Sequence, residues 1–381
     1  MGKGSEMEEL GIMEDLRAFY RGKRIFLTGH TGFKGSWMLL LLRELGAEVS
    51  GYALEPARPN DLYKLIDGDT LCNSRIADIR DSGTLRKAVE KAQPDLIFHF
   101  AAQALVRESY RIPQETFDTN VMGSVHVLEA FRELKKSCTA VMITTDKVYE
   151  NMEWEFHYKE SDRLGGFDPY SSSKAGAEIA IASYQKAFFG PERFNKHHKA
   201  LAAARGGNVI GGGDRAEDRI IPDLVRSIEK NEALKVRNPG AIRPWQHVLE
   251  LLYGYLLLGK KLREDPGTFQ GAFNFGPGRG DEMTVEELVK HAIRIYGKGK
   301  YAHREDQEKL HEAGILRLNI EKAQRLLGWE PRWRSEEAVE KTIRWYRDVA
   351  RGNRPPGAAA GRSANISRTG MQDEDRKVSF T

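Results

Sequence analysis

Apolar residues along the first two hundred positions fall in two alternating textures: short, almost continuous apolar runs and longer amphipathic stretches. The short runs predict strands at Arg24–Thr28, Glu48–Tyr52, Asn73–Asp78, Asp95–Ala101, Ala140–Thr144 and Lys199–Arg205. The longer stretches predict helices at Ser36–Leu45, Asp81–Ala92 and Pro113–Glu133, with another after residue 168. Gly46 ends the first of these helices as a C-terminal cap. Strands separated by helices of this length imply parallel βαβ units, so the expected class is α/β, a Rossmann-type doubly wound parallel sheet.

From Asn208 onward the texture changes. Gly211-Gly-Gly213 and several prolines punctuate shorter elements, and a smaller C-terminal α/β lobe is expected over 207–350. Its signals are Asn274–Pro277 and helices at Val285–Tyr296, Asn319–Leu327 and Glu336–Val349. A segment near 243–262 is expected to return to the dinucleotide-binding domain, which otherwise spans 21–206. Residues 1–20 read as a charged extension with one helix. Residues 351–381 are polar, with almost no apolar positions, and read as a disordered tail.

Composition narrows the class. With 40% hydrophobic and 30% charged residues the chain can build a sizeable core. A formal charge of +4, with both signs interspersed, argues against a nucleic-acid surface, which concentrates Lys and Arg. No segment approaches the roughly 20 apolar residues of a membrane span, and the acidic N-terminus does not read as a signal peptide. Two cysteines, Cys72 and Cys138, are too few for a disulfide scaffold. These features point to the cytoplasm, and no metal site is expected.

Two motifs carry chemistry. Between the first strand and helix stands Gly29-His-Thr-Gly-Phe-Lys-Gly35, with glycines in the spacing GxxGxxG. A tight turn of this kind lets backbone approach a pyrophosphate, whose charge meets N–H groups at the helix N-terminus. The second strand lacks an acidic residue at its tip; Glu55 comes late and Arg58 is near, so NAD and NADP both remain open. The second motif is Asp168-Pro-Tyr170-Ser-Ser-Ser-Lys174. Asp168 can cap a helix there, with Pro169 in its first turn. Tyr170 and Lys174 share one helical face, and a neighbouring ammonium is expected to lower the phenol pKa. That gives a base for a sugar hydroxyl as hydride leaves its carbon.

Taken with Asp78, the strand end Phe100-Ala-Ala-Gln103 and Asn120, these motifs resemble the extended short-chain dehydrogenase/reductase family over roughly 20–350. The resemblance implies a C-terminal lobe binding a nucleotide sugar. It also implies dimerisation, or a higher homo-oligomer, through Pro113–Glu133 and Pro169–Phe188. For the dinucleotide it implies contacts from Gly29, His30, Thr31, Gly32, Phe33, Asp78, Ile79, Ala101, Ala102, Gln103, Asn120, Tyr170 and Lys174. Asp78 reads equally as a simple turn residue, and His30 as a proton carrier, a phosphate contact or a loop residue without a chemical role.

The fifth strand ends Thr144-Thr145-Asp146-Lys147-Val-Tyr149-Glu-Asn151. An acid/base pair after the Thr is the mark of sugar 4,6-dehydratases within the family. Asp-Lys before Tyr-Glu-Asn is similar to the branch acting on CDP-glucose, as are Gly207-Asn-Val-Ile-Gly-Gly-Gly-Asp214 and Arg243-Pro-Trp-Gln-His-Val248. The implied chemistry is C4 oxidation by NAD with Tyr170, Thr145 and Lys174, water loss across C5 and C6 with Lys147 as base and Asp146 as acid, and hydride return to C6. Lys147 must be neutral and Asp146 protonated, and burial favours both. Arg107, Asn208, Arg219 and Arg243 are the implied substrate contacts; Trp245 either packs near the base or fills the lobe interface. Arg215 departs from the branch, which tends to have Trp, and bears on nucleoside selection. Rival readings are a dehydratase or epimerase for a UDP- or dTDP-linked sugar, and a non-catalytic dinucleotide sensor, which should have lost Tyr170 or Lys174.

Overall fold

The computed structural model describes residues 13–153, 156–304 and 315–355. Its frame is a seven-stranded sheet. The strands are β1 (Arg24–Thr28), β2 (Glu48–Ala53), β3 (Asn73–Ile76), β4 (Leu96–His99), β5 (Cys138–Thr145), β6 (Lys199–Gly206) and β7 (Gly271–Phe275). Their order is β7-β6-β5-β4-β1-β2-β3, and every pairing is parallel. The order reverses between β1 and β4, and in such sheets ligands bind in the crevice at that switch.

The apolar runs form strands because both sheet faces are covered. One core joins α1 (Phe33–Glu44) and α6 (Val248–Glu264) to the sheet through Leu39, Leu42, Leu252 and Leu256. The other packs α2 (Ser82–Ala92), α3 (Gly123–Glu133) and α4 (Pro169–Phe188) through Leu85, Val127, Phe131 and Ile181. Each such buried side chain contributes about 1.5–3 kcal/mol of transfer free energy. α6 is apolar almost all round, and 14 of its 17 residues are buried, as expected of a core helix. Residues 13–20 are helical and join the same core: Leu16 and Tyr20 are fully buried, and the Tyr20 hydroxyl donates to the Leu256 carbonyl.

Several boundaries differ from expectation for local reasons. α1 starts at Phe33, three residues early, because Gly32 is already its N-cap; Gly46 ends it in the left-handed region at φ +76°. The helix expected over Pro113–Glu133 is interrupted by a π turn at Asp118–Met122, and Asn120 sits in it. Asn274–Pro277, expected in the second lobe, instead leads out of β7, which pairs with β6. The second lobe is built from α5 (Ile220–Glu229), α7 (Val285–Tyr296), α8 (Ser335–Ala350) and two-stranded pairs such as Ala233–Val236 with Lys300–His303. Residues 1–12 of the extension and 356–381 of the tail lie outside the described residues.

Candidate active site

The glycine turn is set by close backbone approach. Gly29 has φ +73°, and a Cβ there would lie 2.7 Å from the Ala101 nitrogen. A Cβ on Gly35 would lie 2.0 Å from the Gly29 carbonyl oxygen. Thr28 Oγ1 accepts from the Phe100 and Ala101 N–H groups, and Thr31 Oγ1 donates to the Leu54 carbonyl. The turn therefore joins the tips of β1, β2 and β4, with Ala101 and Ala102 beside it.

His30 does not face the cleft. Its ring is fully buried on the β2–β3 side, with Nε2 2.8 Å from Ser74 Oγ and the ring edge-on to Tyr63. Burial lowers its pKa to about 4, so it stays neutral. Its backbone belongs to the turn, but a side-chain proton-carrier role is excluded by this placement. Asp78 is held by Arg80 at 2.6–3.0 Å, which lowers its pKa, and the neighbouring Ile79 is buried against Gly123.

Asp168 caps α4 as expected, accepting from Ser171 N at 2.9 Å. Tyr170 and Lys174 follow on one face, both buried. The expected depression of the Tyr170 pKa is overturned: burial pushes it up to about 12. A Thr145 hydrogen bond and Arg219 oppose this, but Lys174 points elsewhere and donates to the Ile143 carbonyl at 3.0 Å. Burial also lowers Lys174 to about 8, against the Glu178 charge. Asn120 gives its side chain to the protein: Nδ2 donates to Gln103 O and Ser173 Oγ, and Oδ1 accepts from Gln103 N. The Gln103 amide is likewise held by Leu105 and Thr116. Together they fix the loop after β4, which Asn120 ties to α4 through Ser173.

A cleft of about 330 Å³ opens between sheet and second lobe. Thr145, Asp146, Lys147 and Tyr170 line it, together with the four substrate candidates Arg107, Asn208, Arg219 and Arg243; Lys174 is not among its lining residues. Thr145 Oγ1 donates to Asp146 Oδ1 at 2.8 Å, and Lys147 Nζ stands 3.6 Å from the same oxygen. Asp146 Oδ2 is buried without a hydrogen-bond partner among the described residues. Arg219 is tied to Asp214 at 2.8 Å, and Arg243 donates to the Ile242 carbonyl. Trp245 is buried and lines the cleft while its carbonyl accepts from Ser335, so it serves lobe packing as well. Arg215 is not a lining residue; it pairs with Glu229 and stacks over Tyr346, which corrects its expected part in nucleoside selection.

Two features escaped the sequence. Lys34, inside the glycine turn, also lines the cleft; burial and then Arg219 lower it to about 8, while Asp146 and Asp214 oppose. Its position in the first turn of α1 was the available signal. Beneath β5, Glu178 pairs with Arg205 and accepts from Thr144, while Arg205 reaches Tyr149. Only the fold brings those four together.

This sheet, turn and Tyr-Lys helix define a Rossmann-type enzyme of the short-chain dehydrogenase/reductase class. The chain belongs to the family described as GDP-mannose 4,6 dehydratase, whose model matches residues 26–342. It is 44% identical to the CDP-glucose 4,6-dehydratase of Salmonella typhimurium, covering 88% of this chain and 93% of that protein. It is 27% identical to the human dTDP-D-glucose 4,6-dehydratase, over 86% and 90%. Among solved structures it resembles an epimerase from Methanothermobacter thermautotrophicus, with TM-score 0.74, 23% identity and coverage of 89% and 96%. It also resembles the dTDP-glucose 4,6-dehydratase of Streptomyces venezuelae solved with NAD and TYD bound, with TM-score 0.73, 25% identity and coverage of 85% and 97%. Among the described residues no helix is long and apolar enough to cross a membrane.

Proposed function

We propose that the chain converts CDP-D-glucose to CDP-4-dehydro-6-deoxy-D-glucose and water, as an NAD-dependent 4,6-dehydratase. The observation that carries this reading is the Asp146–Lys147 pair at the tip of β5, in one cleft with Tyr170 and Thr145. The cytidine nucleotide is supported by the 44% identity to the Salmonella typhimurium enzyme.

The turn fits a dinucleotide. α1 has no side-chain cap, so its first N–H groups are open to a pyrophosphate. Exposed Leu54 and Ile76, beyond β2 and at the end of β3, offer apolar surface for an adenine beside Asp78 and Ile79. Arg58 is paired with Glu217 at 3.1 Å rather than left for a 2′-phosphate, which favours NAD. Bound there, NAD supplies a two-electron carrier that takes hydride from C4 and gives it back at C6.

The chain's own side chains handle protons and orientation. Tyr170 takes the O4 proton, and Arg219 beside it supplies positive field of the kind a phenolate needs. The C4 ketone acidifies C5–H, which neutral Lys147 removes. Protonated Asp146 donates from its open Oδ2 to the departing O6 hydroxyl. This reactive pair differs from the ion pair only in one proton moved between neighbours. Arg107, Arg219 and Arg243 bring guanidinium groups into the cleft, suited to a diphosphate, and Asn208 adds an amide.

The test is product analysis with CDP-, dTDP- and UDP-glucose and GDP-mannose in deuterated water. Expected is a 6-deoxy-4-keto product from CDP-glucose carrying deuterium at C5. Turnover of another sugar nucleotide without CDP-glucose would overturn the substrate assignment. The assembly is a homodimer in this reading: Phe117, Met122, Ile179 and Phe188 are large, exposed and apolar on the two segments the family uses. Light scattering reporting a monomer at micromolar concentration contradicts it. The compartment in this reading is the cytoplasm, in keeping with the free thiols of Cys72 and Cys138.

A further inference from the structure

The dehydratase reaction strands one proton. Oxidation places the O4 proton on Tyr170. Elimination moves the C5 proton to Lys147 and the Asp146 proton to the departing O6. Lys147 then returns its proton to C5 as the electron pair arrives at C6. Sugar plus water contain as many protons as the substrate did. After one turnover, therefore, Tyr170 holds one proton too many and Asp146 one too few.

Thr145 stands between them. Its hydroxyl donates to Asp146 Oδ1 at 2.8 Å, and the Tyr170 phenol lies beside it in the same cleft. All three side chains are buried, at 9% exposure for Tyr170, 7% for Thr145 and 2% for Asp146. A hydroxyl accepts and donates at once, which a relay requires. The two Asp146 oxygens have separate surroundings: Oδ1 faces Thr145, while Oδ2 has no partner among the described residues. Lys147, at 3.6 Å from Oδ1, is beyond hydrogen-bond range of it.

Resting on the dehydratase reading, we propose that Thr145 is the relay that resets the enzyme after each turnover. The Tyr170 O–H bond breaks as a new bond forms at Thr145 Oγ1. The original Thr145 O–H bond breaks as one forms at Asp146 Oδ1. No electrons leave or enter, and no solvent proton is used. A half-turn about the Asp146 Cβ–Cγ bond then presents the acid proton to the cleft.

Rapid-quench kinetics of the NAD-loaded enzyme with CDP-glucose test this. Thr145→Val should complete a first turnover, slowed as far as Thr145 serves the C4 oxidation, and make every later turnover about 100-fold slower than that first one, giving a burst of about one product per site. Imidazole should speed its later turnovers but not its first. Thr145→Ser should show no burst. Equal slowing of first and later turnovers in Thr145→Val, with no imidazole effect, reduces Thr145 to a positioning residue and overturns the relay. A second measurement does not depend on that variant: steady-state rates of the wild type and Thr145→Ser should be independent of buffer concentration, and a rise with buffer sinks the idea. Failure of the dehydratase reading looks different, because the wild type then forms no 6-deoxy-4-keto product.

Discussion

Arg205 on β6 and Glu178 on α4 form a two-pronged buried ion pair, at 2.9 and 3.0 Å, beneath the tip of β5. Glu178 also accepts from Thr144 at 2.5 Å, and Arg205 donates to Tyr149, so the pair grips both sides of the Thr145-Asp146-Lys147 segment. Removing one partner strands a buried charge. Glu178→Gln should therefore lower unfolding stability by about 3–5 kcal/mol. The double variant Glu178→Met/Arg205→Met should recover much of that loss. Denaturant titration of the three proteins checks this; a double variant as unstable as the single one contradicts it.

The adjacency of Asp146 and Lys147 predicts that the half-reactions can be separated. Lys147→Ala removes the C5 base but leaves Tyr170 and Thr145. Substrate should still reduce bound NAD, so the absorbance of reduced nicotinamide should accumulate, while C5 exchange and product formation fall about 100-fold or more. Lys147→Ala without any reduced cofactor on substrate addition contradicts the role given to Lys147. Asp146→Asn should keep C5 exchange measurable while slowing water loss.

Much of this fold was legible because a doubly wound sheet writes itself as apolar runs between amphipathic stretches. β1 and α7 were read to the residue, and every strand of β1–β6 was anticipated. What failed was set by tertiary contact. β7 looked like part of the second lobe, since five residues pairing with β6 carry no periodicity of their own. The π turn around Asn120 is invisible to a helical pattern that continues through it. At the site, Tyr170, Asp146, Lys147 and the arginines Arg107, Arg219 and Arg243 line one cleft. The sign of the Tyr170 shift did not, because helical spacing says nothing of depth: Lys174 turns to a backbone carbonyl, and burial dominates. Lys34 and the Glu178–Arg205 pair were missed because their partners lie far away in sequence.

The turn tolerates no side chain at Gly29. A Cβ would lie 2.7 Å from backbone at Ala101, and φ is already +73°. Neither a rotamer change nor a side-chain shift relieves a backbone clash. Gly29→Ala should abolish dinucleotide binding by calorimetry and lower stability by at least about 1 kcal/mol. Gly22 makes the control, since its Cβ meets nothing within 4 Å. Gly22→Ala should keep cofactor affinity, and loss of binding in both variants would show that the close approach is not the cause.

Glu250 gives the molecule a pH-dependent weakness away from the chemistry. It is buried on α6, and burial raises its pKa from 4.5 to about 7, although the Arg332 N–H hydrogen bond at 2.6 Å opposes this. An acid whose folded pKa is raised favours its protonated form in the native state. The penalty is absent below the unfolded value near 4.5, grows through the interval, and is complete above about 7. Glu250→Gln keeps an oxygen for the Arg332 N–H group and carries no charge. It should therefore raise stability by about 2–3 kcal/mol at pH 8 and leave it nearly unchanged at pH 4. Paired thermal melts at the two pH values check the sign: a gain that is equal at both, or larger in acid, rules out ionisation of Glu250 as its source.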